Sequence, residues 1–256
     1  MSYVKWAFWS ALLVILVGSL IGVASHYESR TSVDWEIVTS SGNISSLYRG
    51  TERRAVRKSR ESAVMVQSTT LNFFGGTSTS SGTYFIANER PYIITVQHGI
   101  HGPCWLIRIH TPTNIYECKK ITAVDEINDY AIIELTEKLD NRRPMKIPED
   151  LPHGPHRHRA YSLLNKIVYT GYPNVIGPLT LRGDVVGYTQ REQIYIFSHA
   201  YGGASGSGVF TQNGEYIGYV TAIDVGATEY GIDILENIVL VSPSFNVDWA
   251  PVLEER

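Results

Sequence analysis

Short runs of Val, Ile and Tyr recur along the chain from Ala63 onward, and Gly, Ser, Asn and Pro separate them. Runs of this length and composition predict β-strands joined by frequent turns. A first group lies at 63–66, 72–74, 83–86, 92–95, 105–109, 115–117 and from Asp129 onward. A second group lies at 166–170, 185–189, 193–197, 209–211, 216–222 and 238–241. We therefore predict an all-β fold.

The N-terminal part of the chain has a different pattern. Residues 6–25 carry no charge and are rich in Leu, Val and Ile. As a helix, a run of this length spans about 30 Å, which matches the hydrocarbon core of a bilayer. A cleaved signal peptide, with small residues at 22–24 for cleavage, and a buried soluble helix are the alternatives. Because the run is longer than the apolar part of a usual signal peptide, we favour a single-pass transmembrane anchor over 1–25, with the rest of the chain extracytoplasmic.

Residues 26–60 are predicted to form a linker. The segment 26–47 is polar and rich in Ser and Thr, and a basic run follows it at Arg53, Arg54, Arg57, Lys58 and Arg60. Such a run is typical of a solvated surface or a short helix, and it attracts anionic lipids only if it stays near a membrane. We place the folded domain at 61–250 and a C-terminal tail at 251–256.

Composition limits the possible functions. The chain has 256 residues, of which 43% are hydrophobic, enough for a core in one domain or in two small barrels. The formal net charge of −3 gives no indication of a nucleic-acid partner. We therefore look for the function in local motifs.

The most informative motif is the segment 202–210, where Ser205 lies among glycines and an apolar strand follows. Glycine allows a positive φ and a close approach of the main chain to a substrate. The N–H groups of Gly203 and Ser205 are then able to point at one spot, where the oxyanion of an acyl-transfer intermediate lies. Glycine and serine also build ordinary flexible turns. The segment alone therefore leaves both interpretations open.

Two further residues supply what a serine nucleophile needs. A hydroxyl attacks only when a base takes its proton, and a carboxylate usually orients that base. His98 lies just past one apolar strand, and Asp129 lies where another begins. The order His, Asp, Ser is one of the known orders of a Ser–His–Asp triad. Asp125 and Ser207 are the alternatives, but Asp129 leads directly into a strand and Ser207 follows the glycine turn.

Together these motifs resemble those of the trypsin-like serine endopeptidases, and most closely those of the HtrA/DegP type. The resemblance extends over about residues 64–241 and rests on T-V-Q-H at 95–98, D-Y-A-I-I at 129–133, G-Y-P at 171–173, G-D-V-V at 183–186, G-A-S-G-S at 203–207 and the strand 214–223. The chain departs from the family pattern in the pair before His98 and at Ser207-Gly208, which follow the serine motif. Only a short tail follows Ser242, so we expect no PDZ module.

The resemblance implies a fold and a mechanism. The fold is two six-stranded Greek-key β-barrels with the active site in the cleft between them. In the mechanism, Ser205 is the nucleophile, His98 the general base and Asp129 the residue that orients the base. The amides of Gly203 and Ser205 form the oxyanion hole. No cofactor or metal is required.

The resemblance also indicates how a substrate binds. Tyr219, Val220 and Thr221 are expected to pair with an extended polypeptide as an added strand, and His199 is expected near the primary specificity pocket. The chain is thus predicted to be a membrane-anchored serine endopeptidase. The alternative is a protease fold that only holds peptides, which the altered Ser207-Gly208 segment would favour.

The two cysteines, Cys104 and Cys118, lie on opposite arms of a predicted hairpin. Cross-strand neighbours approach closely enough for a disulfide, which we predict for an oxidising compartment. The alternative is two free thiols packed as small hydrophobes. Three further histidines, His153, His156 and His158, are close enough in sequence to suggest a metal site, but their Pro- and Arg-containing surroundings favour a solvated loop.

Overall fold

A computed structural model describes residues 50, 52–70, 76–148, 159–228 and 231–254, with backbone alone over 223–228 and 231–236. The predicted membrane segment, the predicted strand at 72–74 and the histidines at 153–158 lie outside these residues. Within the described ranges, no helix is both long enough and apolar enough to cross a bilayer.

The first half of the chain forms a closed antiparallel barrel. Its strands are β1 (Ala63–Thr70), β2 (Gly76–Ala87), β3 (Arg90–Thr95), β4 (Ile107–His110), β5 (Ile115–Asp125) and β6 (Tyr130–Leu135). Around the barrel they follow the order β1-β2-β3-β6-β5-β4, and the pairing of β1 with β4 closes the ring. The third strand therefore lies beside the sixth rather than the fourth, as a Greek-key connection requires.

The second half forms another closed barrel. Its strands are β7 (Lys166–Gly171), β8 (Leu179–Tyr188), β9 (Ile194–Phe197), β10 (Gly208–Thr211), β11 (Tyr216–Thr228) and β12 (Gly231–Pro243). Their order is β10-β11-β12-β9-β8-β7, and β10 pairs with β7 to close the ring. The prediction of an all-β fold with two six-stranded barrels is confirmed.

Strand β3 shows how the sequence builds two apolar layers at once. Successive residues of a strand face opposite sides. Ile93 packs with Val64 inside the first barrel, whereas Ile94 belongs to a second cluster that also contains Phe210 and Tyr219 of the other barrel. Both faces of the strand are therefore buried, which explains why its sequence is continuously apolar. The second cluster lies between the barrels and holds them together.

Helix α1 (Arg53–Ser62) precedes the first barrel and packs on the second. Ala55 contacts Val168 in a small buried cluster. The Ser59 hydroxyl donates to Thr170 Oγ1 over 2.7 Å. The buried face of this helix also includes Arg60, whose guanidinium donates to the Pro178 carbonyl and to Thr180 Oγ1 over 3.0 and 2.9 Å. The basic run that we assigned to the linker therefore packs on the second barrel.

The described part of the C-terminal segment also packs against the barrels. The short helix α2 (Ala250–Leu253) places Val252 in the cluster between the barrels, where its side chain is 2% exposed. The Asn88 side-chain amide donates to the carbonyls of Val252 and Leu253 over 3.3 and 3.1 Å. Both α1 and α2, which flank the predicted range of 61–250, thus pack against the barrels.

Cys104 and Cys118 are joined by a disulfide in this structure. Cys104 lies in a 3-10 turn just before β4, and Cys118 lies on β5, which pairs with β4. Their Cα atoms are 5.3 Å apart, within the range that a disulfide requires. The bond joins the two arms of the predicted hairpin.

Candidate active site

His98 lies in a 3-10 turn, Gln97–Gly99, directly after the end of β3. Val96, which precedes the turn, is completely buried and fixes where the turn begins. The His98 side chain is 52% exposed and therefore accessible from solvent. A rigid strand thus holds a half-exposed imidazole at the edge of the first barrel.

Asp129 lies in the turn between β5 and β6 and has a left-handed backbone conformation, with φ of +57°. Asp tolerates this region better than most residues. Tyr130, the next residue, is buried and begins β6. The positive φ directs the Asp129 side chain away from the strand that follows and toward the His98 turn.

The Asp129 carboxylate accepts two hydrogen bonds from His98. Its Oδ1 lies 3.0 Å from the backbone nitrogen, and its Oδ2 lies 2.7 Å from ring Nδ1. A carboxylate only accepts, so Nδ1 carries the proton, and in the neutral ring Nε2 keeps a free lone pair. The hydrogen bond with Asp129 raises the pKa of His98 above its ordinary value of 6.5, although burial acts in the opposite direction. The pair is therefore arranged as a base with a fixed tautomer.

Asp125, the alternative carboxylate, has a different partner set. It accepts hydrogen bonds from the Ile127 nitrogen and from the Asn128 backbone and side chain, over 2.8 to 2.9 Å. Burial alone would raise the pKa of Asp125, but these hydrogen bonds hold it below its ordinary value. Asp125 thus closes the turn that presents Asp129 and does not bond to His98.

Tyr219 of the second barrel braces the same turn from the other side. Its hydroxyl donates to the carbonyl oxygen of Asn128 over 2.6 Å. Burial raises the pKa of Tyr219 well above its ordinary value, so the phenol stays protonated and remains a donor. The residue before Asp129 is therefore fixed by a contact across the two barrels.

The Ser205 turn requires glycine on both sides. Gly203 and Gly206 have φ values of +94° and +88°. A Cβ on Gly206 would lie 1.9 Å from the carbonyl oxygen of Ser81, which is too close for any other residue. The backbone carbonyl of Ser205 accepts from the Ser81 nitrogen over 2.8 Å. The turn is therefore pressed against β2 of the first barrel.

The same contacts bring Ser205 to the end of the strand that carries His98. Ser81 bonds to the Ser205 carbonyl, and the Ser81 carbonyl accepts a 2.6 Å hydrogen bond from Thr95, the last residue of β3. No hydrogen bond joins Ser205 Oγ to the His98 ring among the described residues.

The backbone N–H groups near Ser205 differ in whether they donate a hydrogen bond. In the described part of the chain, neither the Gly203 nor the Ser205 nitrogen donates a hydrogen bond, whereas the Ala204 nitrogen donates to Tyr201 O over 2.9 Å. The Gly202 carbonyl is held by the Asn174 nitrogen at 2.7 Å. Two unpaired donors therefore flank Ala204, as an anion site for a substrate carbonyl requires.

Ser207, the alternative nucleophile, is completely buried. Its hydroxyl donates to the Ala204 carbonyl over 2.6 Å. The space for its side chain exists because Gly171 lies opposite, where an added Cβ would lie 2.1 Å from Ser207 Oγ. The departure from the family motif thus places an internal hydrogen bond in the turn, and Ser207 has no access to a substrate.

The structure places the predicted substrate residues in different surroundings. Tyr219 and Val220 are buried within β11, which pairs with β10 on one side and with β12 on the other. The Val220 carbonyl and nitrogen are also bonded to Gly206 and Ser207, over 2.7 and 3.0 Å. These two residues therefore offer no free edge for an added strand. From Thr221 onward, β11 pairs among the described strands with β12 alone.

His199, the remaining predicted substrate residue, has an exposed side chain. Its backbone carbonyl accepts a hydrogen bond from the Tyr169 hydroxyl. The described ranges contain no group of three or more His, Cys, Asp or Glu side chains suited to a metal ion. Ser81 and Asn174 were missed from the sequence, because their contacts with the Ser205 turn are made between distant parts of the chain.

Comparison with known proteins places this geometry in context. No family model matches the chain, and none of the curated proteins matches it. The serine endoprotease from Yersinia pestis has a solved structure with a TM-score of 0.56 and 19% identity, covering 77% of this chain and 64% of that one. The HtrA-type protease AlgW, solved with a tripeptide, gives a TM-score of 0.55 and 17% identity, covering 75% and 59%.

These similarities establish the fold. The chain has the two-barrel fold of the trypsin-like serine proteases, and it resembles the HtrA-type members as the motifs predicted. It spans less than two thirds of the length of either solved structure.

Proposed function

We propose that this protein is a serine endopeptidase. The observation that carries the proposal is the His98–Asp129 pair, in which one carboxylate accepts both the ring N–H and the backbone N–H of the histidine. This pair lies at the strand end to which Ser81 links the Ser205 turn. A base with a fixed tautomer, a glycine-flanked serine and two unpaired amides are the parts that acyl transfer needs.

The chemistry proceeds in two halves. His98 Nε2 takes the proton of Ser205 as its oxygen attacks the substrate carbonyl, and Asp129 stabilises the imidazolium that forms. The amides of Gly203 and Ser205 bind the oxyanion, and one such donor typically lowers the barrier by about 3 kcal/mol. His98 then protonates the leaving amine, and water hydrolyses the acyl-enzyme by the same route. The missing Ser205–His98 hydrogen bond is compatible with this, because such contacts often tighten only when substrate binds.

The substrate is proposed to be an extended polypeptide. β-Strand addition needs an unpaired backbone edge. In β11 the pairing with β10 ends before Thr221, and although Thr221 itself is 3% exposed, the next residue, Ala222, is exposed. We therefore propose that an added strand pairs with β11 from Thr221 onward, next to the exposed Ala222, rather than with Tyr219 or Val220. His199 stays a candidate for the specificity pocket, since its side chain is exposed.

We also propose that the domain is tethered to a membrane and lies on the extracytoplasmic side. The support is the uncharged segment 6–25 and the Cys104–Cys118 bond, since disulfides persist in oxidising compartments.

A fluorophosphonate probe tests the proposal, because it phosphonylates only a serine that a base activates. The full-length wild type should be labelled on the peptide that contains Ser205. Ser205→Ala should lose the label, whereas Ser207→Ala should keep it, since Ser207 is buried. A folded wild type that binds peptides and takes no label would instead favour the peptide-binding alternative.

A further inference from the structure

Ser81 lies where three segments of the candidate active site meet: the end of β3, the Ser205 turn and the turn that follows Tyr172. It is completely buried on β2 of the first barrel. Its nitrogen donates to the Ser205 carbonyl, and its carbonyl accepts from Thr95. Its hydroxyl makes two more hydrogen bonds, both to segments of the second barrel. Neither the mechanism nor the sequence motifs assign a role to this hydroxyl.

As a donor, the Ser81 hydroxyl bonds to the Gly203 carbonyl oxygen over 2.7 Å. Gly203 has a φ of +94°, and the residue before it is also glycine. Two glycines in succession leave the intervening peptide unit free to rotate in the absence of other contacts. The bond from Ser81 fixes the peptide unit on the C-terminal side of Gly203.

As an acceptor, the same hydroxyl binds the Tyr172 nitrogen over 2.9 Å. Tyr172 directly precedes a 3-10 turn, Pro173–Val175, in which Asn174 has φ of 50° and ψ of 32°. The Asn174 nitrogen in turn donates to the Gly202 carbonyl over 2.7 Å. This turn therefore fixes the peptide unit on the N-terminal side of Gly203.

In a trans peptide the carbonyl oxygen and the following N–H point in opposite directions. Holding the Gly202 carbonyl on Asn174 therefore directs the Gly203 N–H to the other side, away from Asn174. The Ser81 hydroxyl contributes to both restraints on Gly203, directly through the Gly203 carbonyl and indirectly through Tyr172. A single buried hydroxyl thus links both flanking peptide units to the first barrel.

We propose that Ser81 is a positioning residue of the oxyanion hole, whose hydroxyl holds the Gly203 N–H toward the developing oxyanion. This inference rests on the proposed peptidase function. Its loss leaves the Gly203 carbonyl and the Tyr172 nitrogen without this partner, so that the Gly202–Gly203 peptide is held less firmly, mainly by the bond from Asn174 to the Gly202 carbonyl. The oxyanion then loses one aligned donor in the transition state, while initial binding of a ligand is little changed.

The test is the rate of phosphonylation by a fluorophosphonate probe at several concentrations, which separates the maximal rate from the half-saturating concentration. The phosphoryl oxygen of the probe occupies the oxyanion hole as the bond to Ser205 forms. For Ser81→Ala we expect the maximal rate to fall roughly ten- to a hundredfold, somewhat less than the loss of an entire donor. The half-saturating concentration should change by less than about threefold, because ground-state binding does not use the oxyanion hole.

Ser80→Ala is the matched control. Ser80 is the neighbouring residue on β2, is 3% exposed and bonds through its hydroxyl to Thr95, 3.2 Å away, rather than to the Ser205 turn. The maximal rate of phosphonylation of Ser80→Ala should stay within about threefold of that of the wild type, and its thermal stability should be similar. If Ser81→Ala does not fold, Ser81→Cys keeps the size and weakens the donor, and an intermediate fall in the maximal rate is expected.

The outcomes separate the two claims. A labelled wild type together with an unchanged maximal rate in folded Ser81→Ala overturns the role of Ser81 and leaves the peptidase function intact. Equal losses in Ser81→Ala and Ser80→Ala also overturn it, because they indicate a general effect on the strand. A folded wild type without label contradicts the proposed function itself.

Discussion

Replacing Asp129 with asparagine changes the site at one well-defined point. The Asp129 carboxylate now accepts from the His98 backbone nitrogen at 3.0 Å and from ring Nδ1 at 2.7 Å. An asparagine has one accepting oxygen and one NH2 group, and the NH2 group cannot accept from a ring N–H. If the asparagine oxygen keeps its hydrogen bond with the His98 backbone N–H, the asparagine NH2 group faces ring Nδ1 and donates to it. The imidazole then adopts the tautomer with its proton on Nε2, and Nε2 cannot act as a base.

A wrong tautomer in a Ser–His–Asp triad lowers kcat by about 10⁴-fold, which corresponds to about 5 kcal/mol of lost transition-state stabilisation. The change also removes the hydrogen bond that raises the pKa of His98. Because His98 is a base only when neutral, the wild-type rate should rise with pH through a midpoint above the ordinary value of 6.5. The residual rate of Asp129→Asn should rise through a lower midpoint.

The assay is the rate of fluorophosphonate labelling or of peptide cleavage from about pH 5 to pH 9. Asp125→Asn is the matched control, since Asp125 belongs to the same turn but bonds to Ile127 and Asn128. We expect it to stay within about tenfold of wild type, with the same midpoint. A rate for Asp129→Asn within about tenfold of wild type, or an unchanged midpoint, would refute the assignment of Asp129 as the partner of His98.

Two further predictions concern stability. Replacing both Cys104 and Cys118 with serine should lower the free energy of unfolding by about 3 kcal/mol, because the bond closes a loop with a sequence separation of 14; urea melts that show no difference from the oxidised wild type would contradict this. Val252→Ala should lower it by about 1–2 kcal/mol, because Val252 is buried between the barrels. Leu253→Ala is its control, since Leu253 is 51% exposed and should change the free energy by less than about 0.5 kcal/mol.

The architecture was predictable because its signal is local. Runs such as 92–95 and 130–133 are apolar on both faces, since one face fills a barrel and the other meets the second barrel. The positions of His98 and Asp129 were predictable for the same reason, because each lies at the end of such a run. Order along the chain and the resemblance to the trypsin-like proteases then led to the proposal that they act with Ser205.

What the sequence did not reveal depends on contacts between distant segments. The Gly- and Ser-rich stretch 75–82 has the composition of a turn, yet residues 76–82 form the first part of β2. Small residues are needed there because the Ser205 turn lies against it: a Cβ on Gly206 would reach the Ser81 carbonyl. No local pattern reports that requirement, so Ser81 had no distinguishing signal.

The burial of helix α1 and the pairing of β11 also depend on contacts between distant segments of the chain. The helix has few apolar residues, and Ala55 is buried only because β7 lies beside it. The motif at Tyr219–Thr221 falls on β11, but the motif does not show that β10 already pairs with Tyr219 and that the Ser205 turn already bonds to the backbone of Val220. Pairing on both sides of a strand is a property of the assembled sheet.

The most direct test of the central claim is to locate the fluorophosphonate label by mass spectrometry on the folded, full-length protein. Activation of Ser205 by the His98–Asp129 pair predicts one modified peptide, which contains Ser205, and its loss in both Ser205→Ala and His98→Ala. A label on a different serine, or a label on Ser205 that survives His98→Ala at an undiminished rate, would contradict the account.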